Sequence, residues 1–226
     1  MAMDKHIFNE EQLKRAEGII RNPLAKLSSL TSSELRDLAV IWCYYSGKIE
    51  GNTYTYVETE TLLKDGITPE KRYEDAKMLK NLHNTFVGEL EYIHKGKNQE
   101  QIDERTLFRI HSTISDGLVS NREDIMQKLG MMLFEQEQYQ NPLERAVFLH
   151  CNVARIQPFI DGNKRTSRML ESVVMMNADL IPVYSAKDAD ILHYRRGLIA
   201  FYETGDYTQY ADYFLGRLEE RLKEIE

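Results

Sequence analysis

The side chains best suited to chemistry lie in one stretch, residues 157–168, where a loop leads into a helix. Pro158 and the Asp161-Gly162-Asn163 turn break an apolar run, and apolar residues then return at helical spacing. The first turn of such a helix carries free backbone N–H groups and the positive end of the helix dipole. Arg165 and Arg168 are three positions apart and therefore lie on one face of it. This arrangement suits a polyphosphate.

Asp161, at the mouth of the loop, offers an oxygen ligand to a hard cation such as Mg²⁺. The alternative interpretation is a capped, solvated helix, because an Asp-Gly-Asn turn commonly precedes a helix and basic residues on a helix face usually contact water. Basic residues in a first turn nevertheless oppose the dipole. On this chemistry alone the anion site and the solvated helix stay equally supported.

The stretch resembles the signature of the Fic (Fic/Doc, or Fido) family, which reads His-Pro-Phe-x-Asp/Glu-Gly-Asn-Gly/Lys-Arg-x-x-Arg. Every defining position matches except the first, where family members carry a histidine and this chain has Gln157. The resemblance covers roughly residues 35–213, strongly at two motifs and loosely between them. It implies an all-α, Fic-type helical bundle with a buried central helix. Whether a short β-hairpin flap is also present stays undecided.

The resemblance implies transfer of AMP from ATP to a Ser, Thr or Tyr hydroxyl of a target protein. Asp161 would orient Mg²⁺ against the α- and β-phosphates. The amides around Gly162, Asn163 and Lys164, together with the Asn163 side chain, would bind phosphate oxygens. Arg165 and Arg168 would neutralise the β- and γ-phosphates, which leave as pyrophosphate.

The general base of the family belongs at the position of Gln157. A side-chain amide forms hydrogen bonds but accepts no proton near neutral pH. Loss of a general base typically costs about 10²–10⁴ in rate. We therefore expect weak or absent catalysis, and whether the chain is an enzyme stays open. Binding of ATP and Mg²⁺ does not depend on the missing histidine.

A second motif lies upstream, where Ser46, Glu50 and Gly51 match the Ser/Thr-x-x-x-Glu-Gly/Asn pattern of Fic proteins with an N-terminal inhibitory helix. Without the resemblance, the glycines here indicate a helix end and Glu50 a solvated carboxylate near a turn. The resemblance implies that Glu50 pairs with Arg168 and places negative charge where the γ-phosphate must bind. It thus predicts an autoinhibited protein.

Two alternatives remain beside an autoinhibited adenylyltransferase. One is a catalytically inactive nucleotide-binding module that regulates or bridges a partner. The other is a Doc-like protein kinase, since lysine, here Lys164, also occurs at that position in the Doc branch, whose members phosphorylate. Homodimers occur in the family, and the sequence leaves a homodimer open.

Composition narrows the class of protein. The chain has 226 residues, 42% of them hydrophobic and 29% charged, with a formal net charge of −7. This acidic balance argues against sequence-independent nucleic-acid binding. The first residues are polar, which argues against a secretory signal, and no apolar run is long enough for a membrane span. The two cysteines, Cys43 and Cys151, lie in apolar runs, as expected for free thiols in the core. We expect a soluble, cytoplasmic protein.

Hydrophobic spacing predicts a mostly helical chain, with an N-terminal region at residues 1–68 and a core with C-terminal helices at 69–226. Helices are predicted at 9–21, from a cap at Thr31 to about Tyr45, and at 55–64, 69–94, 102–118, 143–156, 186–202 and 207–225. Residues 143–156 are apolar nearly all round, which predicts the central helix.

Two further sequence features bear on the site. Residues 130–134 fit a strand or a helix equally, and residues 121–141 lack the Gly-x-x-Arg and proline-rich elements common in the family's flap.

His111 is predicted to lie at the edge of the core. His150 precedes Gln157 by about two helical turns, roughly 10 Å, so it is too far away to replace the missing base.

Overall fold

A computed structural model of the protein describes residues 5–94, 101–118, 126–159 and 161–225. Within these ranges the chain forms ten α-helices and no strand, which confirms the predicted all-α class. They are α1 (Glu10–Arg21), α2 (Ser32–Ile49), α3 (Tyr56–Asp65), α4 (Tyr73–His94), α5 (Glu104–Ile114), α6 (Met126–Glu135), α7 (Pro142–Ile156), α8 (Asn163–Asn177), α9 (Asp188–Thr204) and α10 (Thr208–Ile225). In the ranges that the structure covers, none of these helices combines the length and apolarity needed to cross a membrane.

Helices α7 and α8 form the centre of the bundle and pack against each other more extensively than any other described pair. Helix α7 begins at Pro142, a position where the missing N–H is no loss, and the Asn141 side chain accepts hydrogen bonds from the next backbone amides. Its apolar residues surround the axis, so it is buried as predicted. Helices α4 and α5 contact α8, whereas α9 and α10 contact α7.

Local capping signals fix where several helices begin. Three helices start with a reciprocal capping box, in which the first side chain accepts from the backbone three residues on and the side chain there returns the bond. These boxes are Asn9 with Gln12, Thr31 with Glu34, and Thr55 with Glu58. Each such cap stabilises the helix by about 1 kcal/mol. Because both partners of a box lie three residues apart, these helix starts can be predicted from the sequence.

Helix α2 extends to Ile49, and the predicted end at Tyr45 is wrong. Gly47 was expected to stop the helix, but it lies within the last turn, packed against α4. A Cβ atom at this position would lie 3.0 Å from Leu79 Cδ2, so glycine here permits close packing. Gly51, with φ of +83°, is the glycine that turns the chain out of the helix.

The predicted start of α4 at Pro69 is also wrong, because the helix begins at Tyr73. The segment before it is held by tertiary contacts: Lys71 Nζ donates to the carbonyl of Thr53 at 3.0 Å and pairs with Glu58 at 2.5 Å. These bonds hold the residues after the proline in a bent, non-helical path.

Helix α5 is shorter than the predicted 102–118, since Asp103 caps its first turn and it ends at Ile114. Residues 130–134, which fitted a strand or a helix, lie in helix α6. Residues 119–125, where part of a flap was sought, lie outside the described residues. The division at residue 68 stays a prediction. Trp42 of α2 belongs to the same hydrophobic core as α7 and α8.

Candidate functional site

The N-terminus of α8 is open to an anion. Gly162 is the N-cap, with φ of +79°, and no side chain of the described residues caps the first turn. A Cβ atom at Gly162 would lie 2.8 Å from Ser115 Oγ, so both the backbone angle and the space require glycine. The first amides of the helix have no intrahelical acceptor, and the dipole adds positive potential at this end.

The side chain of Asn163, the first residue of α8, hydrogen-bonds to the loop that precedes the helix. Its side-chain oxygen accepts from the Phe159 amide at 2.9 Å, and its side-chain nitrogen donates to the Phe159 carbonyl at 2.6 Å. Both polar atoms of the amide are therefore engaged in this conformation, so the side chain holds the loop in shape. The expectation that this side chain also binds phosphate oxygens stays a prediction.

His111 supports the loop from α5, a role that the sequence did not reveal. Its ring stacks on Phe159, with centroids 3.5 Å apart and planes 6° from parallel. Its Nε2 atom lies 3.0 Å from the carbonyl oxygen of Asp161 and 3.0 Å from Ser115 Oγ. The histidine, predicted at the edge of the core, is buried, and it also fixes the position of the Asp161 backbone.

Arg165 is buried and only partly satisfied. Its Nη2 donates to Asp161 Oδ2 at 2.9 Å, whereas its buried Nη1 has no hydrogen-bond partner among the residues that the structure describes. A buried donor without an acceptor is costly unless a ligand supplies one. Lys164, next to it, is exposed. The arrangement leaves two cations and free amides at one helix end.

Gln157 ends α7 in the left-handed conformation, with φ of +49°. Its backbone N–H donates to the carbonyl of Val153 at 3.1 Å. Its side chain is exposed, at the junction of α7 and the motif loop. His150 is fully buried; its Nε2 lies 3.0 Å from the hydroxyl of Tyr194. It is therefore engaged elsewhere, in agreement with the expectation that it does not replace the missing base.

Arg168 meets the second motif. Its Nη2 donates to Glu50 Oε1 at 2.8 Å, and its Nε donates to Ser46 Oγ at 3.0 Å. A longer bond of 3.3 Å joins Nη1 to the hydroxyl of Tyr194. The guanidinium has no exposed surface, whereas the Glu50 side chain keeps 21% of its own. Gly51 follows directly and reverses the chain. The structure thus brings both sequence motifs into one contact.

Electrostatics favour an ionised pair at neutral pH. Burial acts to raise the pKa of Glu50, but Arg168 first, then Lys164 and Arg165, lower it below the usual value overall. Burial likewise acts to lower the pKa of Arg168, and Glu50 raises it overall. Since both shifts favour the charged forms, the carboxylate and guanidinium neutralise each other in the buried site.

Asp161 is the carboxylate at the mouth of the loop, and its side chain is 63% exposed. One oxygen pairs with Arg165. In the described part of the chain, no group of three or more His, Cys, Asp or Glu side chains could enclose a metal ion. One carboxylate is nevertheless what Mg²⁺ commonly uses when substrate phosphates and water complete its shell. The residues fit a cation that arrives with a polyphosphate.

Comparison with known protein families gives a match over part of the chain. Residues 73–175 match the model of the Fic/DOC family. The chain contains a Fic/DOC family domain. The matched range includes the motif loop and most of α8, and the segment with Ser46, Glu50 and Gly51 precedes it.

Relatives of the Fic domain are distant. The chain is 24% identical over 196 residues to "Protein adenylyltransferase fic-1" of Caenorhabditis briggsae, a match that covers 73% of this chain and 37% of the relative. It is 27% identical over 172 residues to "Protein adenylyltransferase Fic" of Drosophila mojavensis, covering 67% of this chain and 34% of the relative. The matches thus span about a third of these relatives' length.

Solved structures share the fold. Fic-1 (residues 134–508) from Caenorhabditis elegans superposes with a TM-score of 0.79 at 19% identity, covering 95% of this chain and 70% of that one. A Fic family protein from Desulfovibrio desulfuricans G20 gives a TM-score of 0.74 at 19% identity, covering 98% and 76%. At these identities the likeness establishes the fold alone.

Proposed function

We propose that the Fic domain binds ATP with Mg²⁺ at the N-terminus of α8 and is an autoinhibited protein adenylyltransferase with weak or absent catalysis. The observation that carries the proposal is the contact between Arg168 and Glu50, which come from two motifs far apart in sequence and meet at 2.8 Å. The distant relatives named as protein adenylyltransferases support the reaction class.

The proposed nucleotide site uses the unsatisfied groups of α8. Its first amides, after Gly162, bind phosphate oxygens, and Arg165 supplies a donor that has no acceptor among the described residues. Arg168 binds the γ-phosphate once its guanidinium is released. Asp161 would hold a Mg²⁺ ion that arrives with the nucleotide, and such a cation would supply neutralising charge for the pyrophosphate that leaves.

Inhibition follows from competition for one guanidinium. A carboxylate on Arg168 occupies the donors that the γ-phosphate needs and repels the phosphate by its own charge. A competing interaction of about 1.4 kcal/mol lowers nucleotide affinity tenfold. The Glu50 carboxylate also occupies the place of the terminal phosphate, so that any bound nucleotide is displaced from a reactive position.

Gln157 lies where the family resemblance places the general base. Its exposed amide hydrogen-bonds but does not remove a proton from an incoming hydroxyl. This substitution supports a second candidate function, a nucleotide-binding regulatory module without catalysis. A Doc-like protein kinase remains the third, on the strength of Lys164 alone.

Calorimetric titration tests the nucleotide site. ATP with Mg²⁺ is titrated into wild type, Glu50→Gly and Arg168→Ala, with the exposed Arg196→Ala as the matched arginine control. We expect binding about tenfold or more tighter in Glu50→Gly, loss in Arg168→Ala and no change in the control. Circular dichroism verifies that each variant is folded. A folded Glu50→Gly variant that binds no nucleotide would refute the proposal.

Labelled ATP separates the three candidate functions. In Glu50→Gly combined with Gln157→His, ATP labelled at the α-phosphate should label protein if the domain adenylylates. Label transferred only from the γ-phosphate would indicate a kinase. Nucleotide binding without transfer from either label, even with the histidine restored, would indicate a binding module.

A further inference from the structure

A buried row of polar side chains runs behind Arg168, away from Glu50. The hydroxyl of Tyr194 accepts from Arg168 Nη1 at 3.3 Å and lies 3.0 Å from His150 Nε2. On the far side of the ring, His150 Nδ1 lies 2.9 Å from Glu171 Oε2, although the angle is too poor for a hydrogen bond. All four residues are at most 1% exposed.

Donor and acceptor counting gives this row one direction. A guanidinium can only donate, so the Tyr194 oxygen accepts from Arg168. The tyrosine proton then points to His150 Nε2, its remaining described partner, which must be the unprotonated nitrogen. The imidazole proton is therefore on Nδ1, facing the Glu171 carboxylate, where a lone pair would be repelled. Both hydrogen bonds of the row thus run from the Arg168 guanidinium toward His150, and the imidazole N–H faces Glu171.

Glu171 is well supplied with donors at its end of the row. Tyr210 donates to Oε2 at 2.8 Å, and Tyr184 donates to Oε1. Burial first, and then the Glu171 charge, raise the pKa of both tyrosines well above the usual value, so they stay protonated. Both oxygens of this buried carboxylate therefore have a donor, as a buried polar group requires. Glu171 is thus a second carboxylate linked to Arg168, through His150 and Tyr194.

The described anchors of Arg168 divide into two sets. Ser46 lies in α2 and Glu50 is the C-cap of that helix, so both leave if the end of α2 moves. Tyr194 belongs to α9, which packs on α10 and α7. We propose that Tyr194, oriented by His150 and Glu171, is the positioning residue that holds the Arg168 guanidinium toward the nucleotide when Glu50 withdraws. This inference rests on the proposed ATP site.

The test compares triphosphate with diphosphate. In the Glu50→Gly background, Tyr194→Phe removes one hydroxyl, and Tyr202→Phe is the matched control on the same helix, because its buried hydroxyl has no described partner. We expect ATP–Mg²⁺ affinity to fall about tenfold with Tyr194→Phe, the effect of one hydrogen bond to a charged group. Affinity for ADP–Mg²⁺, which lacks the γ-phosphate, should not change, and the control should match its parent.

A structural role for the tyrosine predicts a different result. Equal losses for ATP and ADP, or no loss for ATP, would overturn the inference. Glu171→Gln, at the other end of the row, provides a second variant that keeps the side-chain volume. Glu171→Gln should also lower the affinity for ATP–Mg²⁺ without changing that for ADP–Mg²⁺. An unchanged ATP affinity in this variant would contradict the role of the row.

Unfolding measurements separate this inference from the proposed function. A double-mutant cycle of Glu50→Gly and Tyr194→Phe is measured by urea unfolding without nucleotide. If Tyr194 is the remaining anchor, its loss should destabilise the protein more when Glu50 is absent than when it is present. That result, together with no ATP binding in any variant, would refute the ATP site and support the positioning role. Additive losses would overturn the positioning role.

Discussion

The charge of Glu50 should contribute measurably to the stability of the folded chain, and Glu50→Gln isolates that charge. The substitution keeps the shape of the side chain but leaves Arg168, which has no exposed surface, without its neutralising partner. Two charges about 4 Å apart attract by about 4 kcal/mol at an effective dielectric constant of about 20. Desolvation offsets part of this, and the amide oxygen of glutamine retains a hydrogen bond. We expect a loss of about 2 kcal/mol.

Urea unfolding at pH 7 measures this loss, and Glu60→Gln provides the control. Glu60 pairs with Lys64 at 2.8 Å on the surface of α3, at helical spacing, where such a pair is worth only about 0.3–0.5 kcal/mol. For a domain of this size, 2 kcal/mol corresponds to a fall in Tm of about 4–8 °C. A loss for Glu50→Gln no larger than that for Glu60→Gln would refute the reasoning about the buried pair.

The same variant has a predicted pH dependence. The pKa of Glu50 is lowered in the folded state, so its contribution is fully present above the unfolded pKa of about 4.3 and is lost as the pH falls through the lowered value. Wild type should therefore be more stable than Glu50→Gln at pH 7, and the two should become equal in stronger acid. A difference that stays constant into that acid range would mean that the carboxylate charge is not its source.

Three further substitutions test the packing around the site by urea unfolding. Gly197→Ala should destabilise by about 1–3 kcal/mol, because its Cβ would lie 2.8 Å from the α10 backbone, whereas Gly18→Ala, with open space around it, should be neutral or stabilising. Gln157→Gly should stabilise by roughly 0.5–1 kcal/mol by removing left-handed strain, and a loss would contradict that assignment. Asn163→Asp should cost about 1–3 kcal/mol, because a carboxylate oxygen would face the Phe159 carbonyl; an unchanged midpoint would count against it.

Features that depend on neighbours in sequence were predictable. The capping boxes at Thr31 and Thr55 lie within four residues each, and the apolar character of α7 repeats along one short segment. The α8 motif places its glycine and arginines at fixed spacing, so their presence at one helix end follows from local geometry. These signals survive because few long-range contacts are needed to produce them.

Features that depend on distant segments were not predictable. Gly47 looks like a helix stop until Leu79 of α4 is seen against it. His111 carries no periodic sign that its ring will stack on Phe159, which lies beyond two further helices. The row from Arg168 to Glu171 draws on α7, α8 and α9, and only the packing of these helices brings it together. Tertiary contacts, with no local pattern, decide each case.

The chain is held on both sides of Glu50, by Trp42 before it and by Asn52 after it. Trp42, earlier in the helix, donates to Ser172 Oγ at 2.9 Å and packs on Phe86, while Asn52, just after the helix, donates to the carbonyl of Asp75 at 2.9 Å. Movement of the whole helix would break the hydrogen bond and the ring packing of Trp42 in the core. Unwinding the final turn between these two anchors frees Arg168 with far less disruption. If the domain binds nucleotide as proposed, fraying of one helical turn sets how often the nucleotide can enter, and backbone amide exchange in that turn should report how often the site opens.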